Sequence, residues 1–100
     1  MTEVVNVRRD EFDVYIGRRS VVMVGSKREH LVDEGWGNPF AIGHDGTREE
    51  VIEKYRAWIL EQPALLARLP ELRDKRLGCW CAPKACHGDV LAALAEGMKP

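Results

Sequence analysis

All three cysteines of the chain, and one of its three histidines, lie within residues 77–89. The thiols belong to Cys79, Cys81 and Cys86, and His87 directly follows the last of them. The segment has the pattern of a buried strand, a short loop and the start of a helix. Thiol and imidazole groups at such a turn can act as a nucleophile, a base or metal ligands. The sequence therefore predicts a functional site here, and it indicates the place of the site more clearly than the substrate.

One interpretation of this segment is a reactive thiol or an anion-binding site. Cys86 and His87 are expected at the first turn of the last helix, where partial positive charge and free N–H groups lower a thiol pKa and attract phosphate. Cys86 would be the nucleophile or the anion contact, His87 a base or a donor, and Asp89 a helix cap or an orienting carboxylate. The residues assigned to ligand binding are Arg18, Asn38, Lys84 and Gly88.

Zinc binding and core packing are the two other interpretations. Cys79, Cys81, Cys86 and His87 supply four suitable zinc ligands. Their spacing argues against zinc, because the first two side chains would point the same way from an extended strand, about 6–7 Å apart. Adjacent Cys86 and His87 would also have to fold back onto one ion. Free cysteine is among the most buried residue types, so Cys79 and Cys81 could simply fill the core.

Size and composition predict one α/β domain over residues 1–100. The hydrophobic share of 45% and the charged share of 31% are typical of a globular protein rather than a disordered one. The net charge of -1 gives no general attraction to nucleic acid or anionic lipid. No apolar run approaches the ~20 residues of a membrane span, and the first residues do not form a signal peptide. We therefore expect a cytoplasmic protein without membrane association, whose thiols are not in disulfides.

The chain as a whole predicts three or four strands and about three helices, in two or three layers. Thr47 and Glu50 form a capping box at the start of a helix. The last helix is expected to begin near Asp89 and to turn its apolar face inward, and a loop is expected over 25–46. The predicted strands are 4–7, 13–17, 21–24 and a central strand at 76–81. The first two predicted helices are 48–62 and 64–72. The residues of the last helix that are predicted to face inward are Val90, Leu91, Leu94 and Met98.

Ligands of open α/β sheets bind beyond the carboxyl ends of the strands. The loop 82–88 follows the predicted central strand, so it occupies such a place. This reasoning and the cysteine cluster point to the same part of the chain.

Three motifs resemble a known family. They are Tyr15-Ile16-Gly17-Arg18, Gly37-Asn38-Pro39-Phe40 and the C-x-C-x4-C-H-G-D ending. Together they are similar to the small bacterial and phage family called domain of unknown function 4326, over about residues 5–95. The resemblance implies a single α/β domain, favours a phage or bacterial origin and carries no established activity. The ending is also similar to the domain of unknown function 488 family, whose members typically carry arginine where this chain has Gly88.

The leading functional hypothesis is an enzyme or a binder of a nucleotide, or of another phosphate-containing ligand or nucleic-acid component, that requires no cofactor. The alternative is a non-enzymatic module, phage-encoded and host-directed, that binds a protein partner and is stabilised by zinc. The sequence contains no Walker loop, no G-x-G-x-x-G and no H-E-x-x-H motif, so no motif assigns a reaction. The oligomeric state is not predicted from the sequence either.

Overall fold

The computed structural model describes residues 1–24 and 26–97. Within these residues the chain forms a mixed α/β fold, which confirms the predicted fold class. The strands are β1 (Glu3–Asn6), β2 (Val14–Tyr15), β3 (Ser20–Val24), β4 (Lys27–Leu31) and β5 (Arg76–Cys79). The helices are α1 (Arg48–Ile59), α2 (Pro63–Leu66) and α3 (His87–Ala95), with a 3-10 turn at Leu69–Glu71.

A three-stranded parallel sheet in the order β1-β5-β2 forms the centre of the fold. Leu77 on β5 is opposite Val4 on one side and Val14 on the other. The prediction of a central strand near 76–81 is thus confirmed, although the strand ends at Cys79. Because all three strands run the same way, their carboxyl ends meet at one edge of the sheet.

The two faces of this sheet are covered by different elements. Side chains alternate along β5, so Leu77 and Cys79 face a core that the helices complete. Gly78 faces the opposite side, where a Cβ atom would lie 2.6 Å from Cγ of Phe12. On that side a second core packs side chains of the β3–β4 hairpin against the sheet. Helices, sheet and hairpin therefore make three layers.

The hairpin corrects the predicted loop over 25–46, because residues Lys27–Leu31 form β4 and pair antiparallel with β3. Only the last residue of β4, Leu31, is buried. The other four are exposed and polar, so the strand has none of the apolar alternation by which a sequence reveals a half-buried strand. Gly25, which contributed to the loop prediction, lies outside the described residues.

The capping box predicted at the start of α1 is confirmed. The Thr47 hydroxyl accepts from the Glu50 N–H, and the Glu50 carboxylate accepts from the Thr47 N–H. α1 buries its apolar face, including Tyr55, and ends at Ile59, three residues before the predicted end. The helical piece predicted over 64–72 is divided into α2 and the 3-10 turn.

The last helix begins at His87, two residues before the predicted start. Val90 and Leu91 are buried as predicted, and Leu94 packs half-buried against the same core. The prediction for Met98 falls outside the described residues. None of the helices in residues 1–24 and 26–97 is long and apolar enough to cross a membrane.

Leu77→Ala tests the position of β5 at the centre of the core. The Leu77 side chain is fully buried, so its truncation should lower the free energy of unfolding by about 2–5 kcal/mol through lost burial and a cavity. Leu60 is 45% exposed and provides the matched control, for which Leu60→Ala should cost about 0.5 kcal/mol or less. Urea denaturation measures both values. Equal losses for the two variants would contradict the described core.

Candidate functional site

A pocket of about 400 Å³ opens where the sequence places the site, at the carboxyl ends of β2 and β5. Its walls come from segments 15–20, 38–42, 48–52, 79–81 and 85–87. The lining includes all three cysteines and His87. Strand ends, a long loop and the first turns of α1 and α3 therefore converge on one cavity.

The first turn of α3 is held by a capping box of unusual composition. Cys86 is the N-cap, and its sulfur accepts from the Gly88 N–H at 3.3 Å. The Asp89 carboxylate accepts from the Cys86 N–H at 3.0 Å, and its side chain lies outside the pocket lining. Asp89 therefore takes part in capping, as the third helical residue whose carboxylate completes the capping box, which agrees with one of its two predicted roles.

Gly88 is packed inside the protein rather than presented to the pocket. A Cβ atom at this position would lie 2.8 Å from Cδ1 of Ile16 and 3.0 Å from a methyl group of Val4. The absence of a side chain lets α3 approach the sheet closely. Gly88 thus has a packing role in this structure, and it does not line the pocket that contains the predicted ligand site.

The three cysteines lie together at the floor of the pocket. The sulfur atoms of Cys79 and Cys86 are 3.3 Å apart, and both residues are buried. Cys81 follows the end of β5 and is half-buried. Hydrogen bonds from the Cys79 and Cys86 thiols, and a further one from Arg48, hold the pKa of Cys81 well below the usual thiol value.

The other two thiols are shifted in the opposite direction. The hydrogen bond that Cys79 donates to Cys81 raises the pKa of Cys79. Cys86 is engaged with both neighbouring thiols and is buried, and these contacts raise its pKa strongly. The pKa is therefore lowered at Cys81 and raised at Cys79 and Cys86. The reactive thiol that the sequence predicts at Cys86 remains a prediction.

The spacing argument against zinc assumed an extended strand through Cys81, and β5 ends two residues earlier. The sulfur atoms of Cys79 and Cys86, which the sequence places seven residues apart, are 3.3 Å from each other. Even so, no group of three or more His, Cys, Asp or Glu side chains in residues 1–24 and 26–97 is arranged to hold a metal ion. The zinc alternative gains no support from these residues.

Arg48 belongs to the site, although the sequence analysis did not single it out. It is the first residue of α1, and its guanidinium donates to the Ala85 carbonyl at 3.0 Å. Arg48 lines the same pocket as Cys81, and its positive charge contributes to the lowered pKa of that thiol. A cation in the first turn of a helix meets the positive end of the helix dipole. This unfavourable placement is the signal in the sequence that could have indicated another role for Arg48.

His87 is held by two contacts. Its Nε2 atom lies 2.7 Å from the Ile16 carbonyl oxygen, and its ring packs edge-on against Tyr55 with the centroids 4.9 Å apart. Because a carbonyl oxygen only accepts, Nε2 carries the proton. Burial lowers the pKa of His87, so the imidazole is neutral near pH 7 and Nδ1 remains an acceptor.

Arg18 connects two distant parts of the pocket wall. Its guanidinium donates to the carbonyl oxygens of Asn38 and Phe40 at 2.8 and 2.9 Å. Its own carbonyl accepts from the Tyr15 hydroxyl, which in turn accepts from the Trp80 indole N–H at 2.9 Å. Since carbonyl partners carry no formal charge, Arg18 keeps its full positive charge at the pocket.

Of the two other predicted ligand-binding residues, Asn38 lines the pocket and Lys84 does not. Both ends of the Asn38 amide are engaged within the protein: Oδ1 accepts from the Phe40 N–H and Nδ2 donates to the Val51 carbonyl. Asn38 lines the pocket, so it shapes the wall. Lys84 is exposed and lies outside the lining, and its backbone N–H donates to the Cys81 carbonyl at 2.8 Å.

His87→Gln tests the burial of a neutral imidazole at the start of α3. The folded pKa of His87 lies below its usual value of 6.5, so the folded chain binds fewer protons than the unfolded chain as the pH falls through this range. His87 therefore contributes stability above about pH 6.5 that is lost on acidification. The Tm of the wild type should fall more between about pH 7.5 and pH 5 than that of His87→Gln. Exposed His30 is the control, and His30→Gln should match the wild type; an unchanged loss in His87→Gln would contradict the assignment.

Two viral proteins are similar to this chain along most of its length. An uncharacterised protein of Acanthamoeba polyphaga mimivirus is 39% identical over 90 residues, which cover 82% of this chain and 65% of that protein. The uncharacterised 12.4 kDa protein in the nrdA-td intergenic region of Enterobacteria phage T4 is 35% identical over 103 residues, covering 98% of this chain and 81% of that protein. No solved structure matches the chain.

The family comparison agrees with the resemblance carried by the sequence motifs. The matching family model is the domain of unknown function DUF4326, and it aligns with residues 3–97. The match therefore includes every strand and helix described above, together with all residues that line the pocket. The chain belongs to the DUF4326 family.

Proposed function

We propose that the pocket binds a nucleotide or another small molecule that contains a phosphate group. The observation that carries this proposal is the charge of the lining. Arg18, Arg19 and Arg48 line the cavity, and none of its lining residues in the described part of the chain is acidic. The planar guanidinium group matches the oxygen atoms of a phosphate with paired hydrogen bonds, so an arginine-lined cavity favours that ligand.

The uncharged part of the lining suits a flat apolar group. Phe40 and Trp80 contribute aromatic surfaces, and Ile42 at the pocket is 51% exposed. Bases stack on aromatic side chains without requiring a particular base edge. The volume of about 400 Å³ lies within the ~300–1,000 Å³ of ordinary small-molecule sites. A charged phosphate together with a flat base would therefore use both parts of the lining.

The three arginines differ in the groups that their guanidinium groups contact, and therefore in how available each positive charge is to a ligand. Arg48 donates to the Ala85 carbonyl, and its positive charge lowers the pKa of Cys81. Arg18 is held by backbone carbonyls, and Arg19 is exposed at the same cavity. We therefore place the phosphate beside Arg18 and Arg19, and this arrangement keeps it away from the thiolate.

The same cavity contains groups that could act on the bound ligand. Cys81 offers a thiolate, and neutral His87 offers Nδ1 as an acceptor. In this proposal Cys81 takes the nucleophilic role that the sequence suggested for Cys86. Cys86 and Asp89 instead hold the first turn of α3, which positions His87.

A protein-interaction module is the second candidate function, and one observation favours it. Val21 and Met23 on β3 are 44% and 58% exposed, and both lie on the outer face of the hairpin. This surface is separate from the pocket lining. Val21→Ser and Met23→Ser should therefore leave nucleotide binding unchanged, so the two candidate functions can be tested independently.

Arg19→Gln tests the phosphate site while sparing the contacts that hold the pocket wall. Calorimetric titration of the full chain with nucleoside monophosphates, and with inorganic phosphate alone, should detect binding. The Kd for the monophosphates should rise about ten-fold in Arg19→Gln because a charge-assisted hydrogen bond is lost. Arg73 is exposed and outside the pocket, so Arg73→Gln is the matched control and should keep the wild-type Kd.

Two results would count against the proposed function. The first is that none of the monophosphates binds at concentrations of about 1 mM, which corresponds to roughly 4 kcal/mol of binding free energy. The second is an equal increase of Kd in Arg19→Gln and Arg73→Gln, since that would reflect the general charge of the protein and not the pocket.

A further inference from the structure

We propose that Cys79, Cys81 and Cys86 form a thiol–disulfide exchange site, in which Cys81 attacks a small disulfide that enters the pocket and the two buried thiols then take over the oxidation. This activity is independent of the proposed nucleotide binding, because it requires no phosphate. Three features of the cluster carry it: the graded exposure of the sulfur atoms, their mutual contact and the cation beside the exposed one.

The three thiols differ in their exposure to solvent. Cys79 and Cys86 are 2% and 3% exposed, so a dissolved disulfide has little access to them. Cys81 lies just beyond the end of β5, is half-buried and lines the open pocket. A disulfide that enters the pocket therefore meets the Cys81 sulfur first.

Contact between the sulfur atoms provides the second step. Cys79 and Cys86 already have their sulfur atoms 3.3 Å apart, and Cys81 lines the same pocket as both of them. A disulfide bond of about 2.05 Å would require the buried pair to approach by roughly 1.3 Å. Cys86 is the N-cap of α3 and Cys79 ends β5, so the movement involves one strand end and one helix end.

Arg48 is the positioning residue of this site. Its guanidinium is held by the Ala85 carbonyl at 3.0 Å, at the wall of the pocket that Cys81 also lines. This positive charge lowers the pKa of the Cys81 thiol. A cation beside a sulfur stabilises the thiolate, which is the nucleophile in thiol–disulfide exchange. A cysteine that only fills the core needs no cation beside its sulfur.

The first step is a direct displacement. The Cys81 thiolate attacks one sulfur of a disulfide RSSR, a new S–S bond forms, and the old S–S bond breaks. One RS⁻ group leaves with the electron pair and takes a proton from water. The chain then carries a mixed disulfide at Cys81, with its two buried thiols still reduced.

The second step resolves the mixed disulfide. Cys86 loses its proton to water and attacks the Cys81 sulfur, and the second RS⁻ leaves and is protonated. Two thiols of the chain have then been oxidised to one disulfide, and RSSR has been reduced to two RSH. Cys79 can next attack the Cys86 sulfur, which moves the disulfide to the buried Cys79–Cys86 pair and returns Cys81 to its thiolate form without further oxidation.

The test uses the reduced full chain and oxidised glutathione, without nucleotide. Samples are quenched with acid at intervals and measured by intact mass. Trypsin cuts after Arg76 and Lys84, so any disulfide to Cys86 joins peptides 77–84 and 85–100. Chymotrypsin then cuts after Trp80 and separates Cys79 from Cys81. The wild type should pass through glutathione on Cys81 and end with the Cys79–Cys86 disulfide.

Each single variant should stop or slow the reaction at a different step. Cys81→Ser should react at least about ten-fold more slowly, because no exposed thiolate remains. In Cys86→Ser, glutathione should persist on Cys81 longer than in the wild type, because only Cys79 remains to attack it. Cys79→Ser should stop at a Cys81–Cys86 disulfide. Oxidation of Cys81→Ser at the wild-type rate, or glutathione that persists on Cys81 in the wild type, would overturn the proposal.

Thermal unfolding would show whether any of the variants fails to fold. In that case a measurement on the wild type alone still tests the proposal. Limiting iodoacetamide should alkylate Cys81 before the other two thiols, and peptide mapping reads the order. Equal labelling of all three cysteines, or labelling of Cys86 first, would contradict the proposal. Failure of nucleotide binding would leave these outcomes unaffected, so the two proposals can fail separately.

Discussion

The sulfur atom of Cys86 is the contact on which the rest of the site depends. It caps α3 by accepting from the Gly88 N–H, and it touches the Cys79 sulfur at the end of β5. One atom therefore joins the central strand to the helix that covers it. The Asp89 carboxylate fixes the same residue through its backbone N–H, so the N-cap is held from two directions.

The positions of the other groups follow from this helix start. Gly88 has no side chain, which allows α3 to approach Ile16 at the end of β2. The next residue back, His87, then reaches the Ile16 carbonyl and uses Nε2 to do so. The tautomer of the imidazole, and the face that it turns to the pocket, are thus consequences of helix packing rather than of the histidine itself.

The far wall of the pocket is held by side chains rather than by regular structure. Arg18 binds two carbonyl groups of the loop that follows β4, and the Tyr55 hydroxyl donates to the Trp36 carbonyl in the same loop at 2.8 Å. Donors carried by the segment between β2 and β3 and by α1 therefore fix a loop that has few backbone hydrogen bonds of its own. Binding surfaces are commonly built in this way, from loops positioned by regular elements.

Local patterns predicted those parts of the fold whose cause is local. The capping box at Thr47, the apolar face of α1 and the central strand are such cases, since their residues lie close together in the sequence. β4 was missed because four of its five residues are exposed and polar, and its pairing with β3 depends on a partner strand. No short window of sequence contains that information.

The site shows the same division between local and distant causes. The sequence placed Cys86 at a helix start, which is correct, because a cap and its helix are neighbours in the chain. It could not predict the lowered pKa of Cys81. That property depends on Arg48, which lies 33 positions earlier and meets Cys81 only in the folded chain. Charge and exposure at a site are set by tertiary neighbours, and a pattern of residue types does not report them.

The charges in the pocket also constrain where a ligand can lie. A thiolate and a phosphate repel each other, and both attract arginine. Arg48 lowers the pKa of Cys81, so a phosphate beside Arg48 would have to compete with a thiolate at Cys81 for the same guanidinium. Arg18 has only uncharged oxygen partners, and its positive charge remains available. In the proposed arrangement the phosphate therefore lies near Arg18 and the reacting thiol near Arg48, so one small pocket would accommodate both.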